Sequence, residues 1–175
     1  MDSEFYLKQQ KLLATNKWYR WFWEFWANQS ILLYGLAAIF IIAQNQGWKV
    51  VILAVCSGLF ARYVVCEIVH PFFKKQHPYQ RLKFQPPTFW LFSRTDARPD
   101  SFPSEHSVTT VAISAVIFLC FPSWGWPALL LPAVIAVARV IVGFHEISDV
   151  VFGYFLGLVS GYFVYLLLFS RLFTP

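Results

Sequence analysis

The chain has 175 residues, of which 58% are hydrophobic, 20% aromatic and only 13% charged. A soluble domain is about a quarter charged, so this composition excludes a water-soluble globular protein, and the length leaves room for a single domain. The net charge of +5 suits anionic lipid headgroups, and no basic stripe outside the membrane-flanking segments points to a nucleic-acid partner.

Residues 1–16 are polar and mixed in charge, with no apolar core ahead of a cleavage site, so no cleaved signal peptide is expected. Residues 18–26 (WYRWFWEFW) are an aromatic cluster. Trp and Tyr prefer the headgroup level, so segment 1–26 is expected to lie in the membrane interface. Five apolar spans follow, at 27–43, 50–69, 104–121, 126–142 and 150–169. Runs of this length without strict alternation read as helices, the form that satisfies its own backbone in lipid. The predicted fold is an all-α integral membrane protein, a bundle of about five transmembrane helices with an amino-terminal interfacial helix.

Within that bundle, Arg62 and Glu67 fall inside the second span and are expected to face other helices, with Glu67 or Asp149 as the partner of Arg62. Cys56, Cys66 and Cys120 sit in apolar stretches and read as small hydrophobes rather than disulfide or metal ligands. Residues 70–103 form the one long polar segment and are expected to be an active-site loop. Gly153, Gly157, Ser160 and Gly161 in the last span predict close helix packing. Five spans also fix a parity. The amino terminus, the 70–103 loop and residues 139–149 share one side, with Lys49 and Arg171 on the other.

Two blocks on the shared side carry chemistry. Residues 138–149 read ARVIVGFHEISD, and residues 101–107 read SFPSEHS. His145 and Asp149, four residues apart, can share a helix face, where the carboxylate orients the imidazole as a nucleophile. Arg139 offers a planar fork for phosphate oxygens. His106 can serve as the acid for a leaving oxygen, and Ser104 opens a helix whose amides can bind phosphate. There is no HExxH and no paired-carboxylate cage, so a metal mechanism is the weaker reading, and no cofactor is expected.

PSEH at 103–106 and R-x5-H-x3-D at 139–149 resemble the second and third signatures of the type 2 phosphatidic acid phosphatase family, whose patterns are PSGH and SR-x5-H-x3-D. Vanadium haloperoxidases and acid phosphatases belong to the same family. Ala138 stands where the family usually has Ser, and Glu105 where it has Gly. An acidic residue in SFPS-acid-H resembles the bacterial undecaprenyl-diphosphate phosphatase branch. The first signature, K-x6-RP, is degenerate. One register puts His70 at the Lys position and His77-Pro78 at Arg-Pro; the other uses Lys74 and Arg81, with Leu82 where Pro belongs. The first register keeps the proline and is preferred.

The resemblance implies that His145 attacks phosphorus, Asp149 orients it, and His106 protonates the leaving group and then activates water. It implies that Arg139, Ser104 and the amides near Glu105 hold the phosphoryl oxygens, with His77, His70, Lys75 or Arg81 standing in for the first signature. The expected substrate is a lipid phosphate or diphosphate, foremost a polyprenyl diphosphate. Phosphatidic acid, phosphatidylglycerophosphate and lipid A phosphates are alternatives, as is a non-catalytic lipid-binding role. The Lys and Arg count would place the catalytic side in the cytoplasm. The resemblance implies instead an extracytoplasmic site in a bacterial inner membrane, and that orientation is preferred.

Overall fold

A computed structural model describes residues 3–44, 47–85, 100–123 and 125–173. Of the expected loop, residues 86–99, with Arg94 and Arg98, lie outside the described residues. Among the described residues all regular structure is helical, apart from one isolated antiparallel bridge between Gln76 and Asp100.

The expected interfacial segment is two helices, α1 (Ser3–Thr15) and α2 (Lys17–Asn28). Asn16 separates them, and its Oδ1 accepts the Tyr19 N–H at 3.0 Å, a capping bond that fixes where α2 starts. Trp18, Trp21 and Phe22 project from α2 with their surfaces exposed. α3 (Ser30–Ile42) follows, and its Leu32–Ile42 portion meets α2 at a bend of 59°. α4 (Gly47–Phe60) runs on through a π-helical turn (Ala61–Val65), α5 (Cys66–Val69) and a 3-10 turn (His70–Phe72) as one 26-residue helix. The short α6 (Pro78–Arg81), α7 (Glu105–Cys120), α8 (Trp126–Val142) and α9 (Ile147–Phe173) complete the chain.

Gly47–Phe72 and Ile147–Phe173 are long and apolar enough to cross a membrane, and α2 with α3 passes the same test if the bent pair counts as one span. α7 and α8 are apolar but shorter, at 16 and 17 residues. A helix rises 1.5 Å per residue, so each reaches roughly 25 Å against about 30 Å of hydrocarbon.

α7 is the central helix, packed against α4, α8 and α9. Its inward face is built from small residues, among them Ser107, Ala112, Ser114 and Ala115. The glycines of α9 lie on that face. A Cβ at Gly157 would meet Val111 Cβ at 2.6 Å and Val108 O at 2.7 Å, and one at Gly161 would meet Ala112 O at 2.7 Å. Without a hydrophobic drive between helices in lipid, such close approach supplies the packing. Hydrogen bonds tie α7 to α3 and α4 as well. Tyr34 of α3 donates to Thr110 O (3.0 Å), and Ser57 of α4 to Ala112 O (3.1 Å).

The ends of the bundle divide as the span parity predicts. Lys49 Nζ lies 5.5 Å from the Phe173 ring centre, joining the start of α4 to the end of α9. At the other end the Ser104 N–H donates to Asp149 O at 3.2 Å, joining the starts of α7 and α9. Cys56, Cys66 and Cys120 are free thiols.

The α7–α9 seam generates a test. Gly157→Leu should lower stability by about 1–3 kcal/mol, because the side chain meets backbone and a β-branched residue. Gly35→Ala, which has nothing within 4 Å of its added Cβ, should leave the melting temperature of the detergent-solubilised protein unchanged. Equal melting temperatures for both variants would contradict this account of the seam.

Candidate active site

Arg139 sits in the last turn of α8 and is 1% exposed. A buried guanidinium needs partners. Its Nη1 donates to Ala27 O at 3.4 Å, and its central carbon lies 4.2 Å from the centre of the Phe144 ring. Gly143 then ends the helix with φ of +90°, and the Gly143 N–H returns to the Arg139 and Val140 carbonyls. Only glycine fits readily here, because a Cβ would also meet the Phe84 ring at 2.5 Å. The reversal brings His145 back beside the residue six positions before it. Arg139 Nη2 and His145 Nε2 stand 3.4 Å apart.

The His145 ring is held at its other nitrogen. Nδ1 lies 2.9 Å from the Ser101 carbonyl oxygen, which can only accept, so Nδ1 carries the proton in the neutral ring. Nε2, on the Arg139 side, is then the nitrogen with the lone pair. Asp149 was expected to make this orienting hydrogen bond. In the structure Ser101 makes it, and Asp149 Oδ2 stands 4.0 Å from the same nitrogen. The fully buried Asp149 carboxylate instead accepts the Glu146 N–H (2.9 Å) through Oδ2, closing the start of α9. Its Oδ1 accepts from Lys75 Nζ (2.5 Å) and Ser148 Oγ (3.2 Å).

Segment 101–106 is therefore brought against 145–149, as the spacing of the two blocks predicts. Ser101 is on the imidazole, and the backbone of Ser104, which caps α7, is on Asp149. His106 is the second residue of α7 and half-buried.

A sequence profile of the PAP2 superfamily matches residues 51–173, which run from within α4 to the end of α9. The chain belongs to the PAP2 superfamily. That superfamily includes phosphatases. The bacitracin transport permease protein BcrC of Bacillus licheniformis is 36% identical over 66 residues, 38% of this chain and 32% of that protein. The chain thus aligns with about a third of that relative's length. No solved structure matches the chain.

The PAP2 first signature is where the structure adds most. His77 places Nδ1 2.7 Å from the Phe144 carbonyl oxygen, and its ring lies 5.4 Å from that of His145. His70 is buried with Nε2 3.4 Å from Glu105 Oε1, and Arg62 Nη1 reaches Glu105 Oε2 at 2.7 Å. Glu105, expected among the phosphate-binding residues, thus stands against the Arg62 guanidinium and the His70 imidazole, both on the helix that continues from α4. The π-helical turn carries Arg62 to this pair, which was expected with Glu67 or Asp149. Lys75 and Arg81 also meet carboxylates. Lys75 Nζ lies 3.0 Å from Glu146 Oε2, and Arg81 Nη2 lies 2.9 Å from Glu146 Oε1. Among the described residues no three His, Cys, Asp or Glu side chains converge as a metal site would require.

Two members of the site lie outside the motif positions. Ser101 acts through its carbonyl, which any residue carries. Glu146 lies between two motif positions, and a carboxylate next to the candidate nucleophile His145 is its one signal in the sequence. Burial pushes the Glu146 carboxyl up, but Lys75 and Arg81 outweigh it and leave it below its ordinary value of 4.5. A lowered carboxyl contributes stability above its unfolded pKa and loses it as pH falls through the folded one. Glu146→Gln should therefore melt below the wild type at pH 7, by an amount on the order of 1 kcal/mol because both cations are partly exposed. The gap should close as pH drops below 4.5, as read from paired thermal melts across pH.

Proposed function

We propose that this protein is a membrane lipid phosphatase that hydrolyses a polyprenyl diphosphate, of the undecaprenyl type, to the monophosphate through a phosphohistidine on His145. The observation that carries this reading is the 3.4 Å approach of His145 Nε2 to the buried Arg139 guanidinium. A lone pair set beside a fixed cation, at one end of an apolar helix bundle, suits attack on a phosphoryl group whose oxygens need positive charge. The SFPS-acid-H form of the second signature supports the diphosphate branch over other lipid phosphates.

In the proposed sequence, Nε2 attacks the terminal phosphorus and the bond from phosphorus to the bridging oxygen breaks. The lipid monophosphate leaves with a proton from His106. His106, now neutral, takes a proton from water. The resulting attack on the phosphohistidine breaks the P–N bond, releases inorganic phosphate and restores both histidines. Arg139 and the amides at the start of α7 hold the transferred oxygens, and Asp149 and the Ser101 carbonyl favour the positive charge that develops on His145 during attack. No metal is required for any of these steps.

Purified full-length protein in detergent micelles should release phosphate from undecaprenyl diphosphate faster than from phosphatidic acid, phosphatidylglycerophosphate or lipid A, and EDTA should leave the rate unchanged. His145→Ala should lower kcat about 10³-fold or more, and His106→Ala about 10²- to 10⁴-fold. Faster release from another of these lipids would reassign the substrate. No release from any of them would leave a lipid-binding role.

The site is proposed to face the extracytoplasmic side of a bacterial inner membrane, which places the far end of α9 in the cytoplasm. A reporter active only in the cytoplasm, fused after Pro175, should be active; an inactive reporter with a stably inserted protein would reverse the orientation.

A further inference from the structure

The turn between α8 and α9 presents four consecutive carbonyls, from Val142 to His145, and each is bound by a different group. Gln10 Nε2 donates to Val142 O at 3.1 Å, and the Tyr79 N–H donates to Gly143 O at 3.1 Å. His77 Nδ1 lies 2.7 Å from Phe144 O, and the Tyr6 hydroxyl donates to His145 O at 3.1 Å. Carbonyls at a helix end have no intrahelical partner, so these four bonds determine the shape of the turn. Two of them come from α1, which precedes the residues matched to the superfamily.

α1 is bound there by more than these two side chains. Tyr6 is fully buried, and Phe5 packs against the apolar group of Ala136, Val140 and Val150 on α8 and α9. Burial, together with the Glu146 and Asp149 carboxylates, holds the Tyr6 hydroxyl well above the ordinary tyrosine range, so it keeps its proton at any working pH. A buried carbonyl deprived of its donor must turn toward another one or take in water. At His145 such a turn moves the ring, and sub-ångström placement of a nucleophile governs the rate.

We infer that α1 is a structural part of the reaction centre and that Tyr6, with Gln10 beside it, is a positioning residue that holds the His145 peptide so that Nε2 stays against Arg139. The inference rests on the reading of His145 as the nucleophile. Neither side chain touches substrate in this scheme; both act through the backbone of the turn.

The test uses the full-length protein with Tyr6→Phe, which keeps the ring in its packed site and removes only the donor. Phosphate release from undecaprenyl diphosphate is measured well below the melting temperature. kcat should fall about three- to tenfold with KM within twofold of wild type. Gln10→Met should act in the same direction and more weakly. A second readout needs no turnover. In protein labelled with 15N-histidine, the His145 ring nitrogens should report Nδ1 protonated and Nε2 unprotonated in the wild type, and a tautomer mixture in Tyr6→Phe. Wild-type kcat and unchanged ring shifts in Tyr6→Phe would overturn the inference while leaving the phosphatase reading intact. A wild type that releases no phosphate would overturn that reading alone, and the ring shifts would then decide the role of Tyr6.

Discussion

A guanidinium cannot be left without partners in an apolar bundle, and the site is arranged around that requirement. An arginine does not lose its proton in place of finding partners. Arg139 finds one carbonyl on α2, one aromatic face and one imidazole. The last two belong to residues 144 and 145, which reach it only because the chain reverses at Gly143. The left-handed glycine and the buried cation are thus a single device. Burial that would otherwise be costly is offset by groups that also deliver a histidine nitrogen to the same point.

The second support is the α7–α9 seam. Close packing of Gly153, Gly157 and Gly161 against α7 brings two helix starts together, so the Ser104 amide can reach the Asp149 carbonyl. Signatures about 35 residues apart in sequence meet because their helices carry small residues at matching heights. The aromatic amino-terminal helices pack on α8, α4 packs on both members of this pair, and the π-helical turn that follows α4 places Arg62 against Glu105. A glycine at position 105, as in the superfamily's usual pattern, would have no side chain to join α4 to α7.

Much of this was legible in the sequence because it is written locally. Apolar runs announce helices, small residues at spacings of three and four announce seams, and R-x5-H-x3-D fixes a turn between two spans. Arg139, His145 and Asp149 were singled out on that basis, and the structure brings SFPSEHS against the last two of them. What stayed hidden depends on partners far along the chain with no period linking them. The pairing of Lys75 and Arg81 with Glu146 stayed hidden because a cation in a polar loop shows its charge but not its partner, and Glu146 is more than sixty residues away. Asp149 was assigned the orienting bond because spacing shows only side chains; the Ser101 carbonyl that makes it is invisible to any motif. The amino-terminal segment read as an interfacial anchor because its composition reports affinity for the membrane surface and not the hydroxyl of Tyr6.

The Tyr6 bond spans 139 residues and the Gln10 bond 132, and this bears on how the protein is assembled. α1 has no acceptor for its buried hydroxyl until the α8–α9 turn, far later in the chain, has been made. Only then can the helix dock with its Tyr6 hydroxyl buried and bonded. Such long-range closure comes late in folding, after the local helices have formed. The turn that carries His145 thus acquires its final shape only when α1, the end of α8 and the start of α9 have all been brought together.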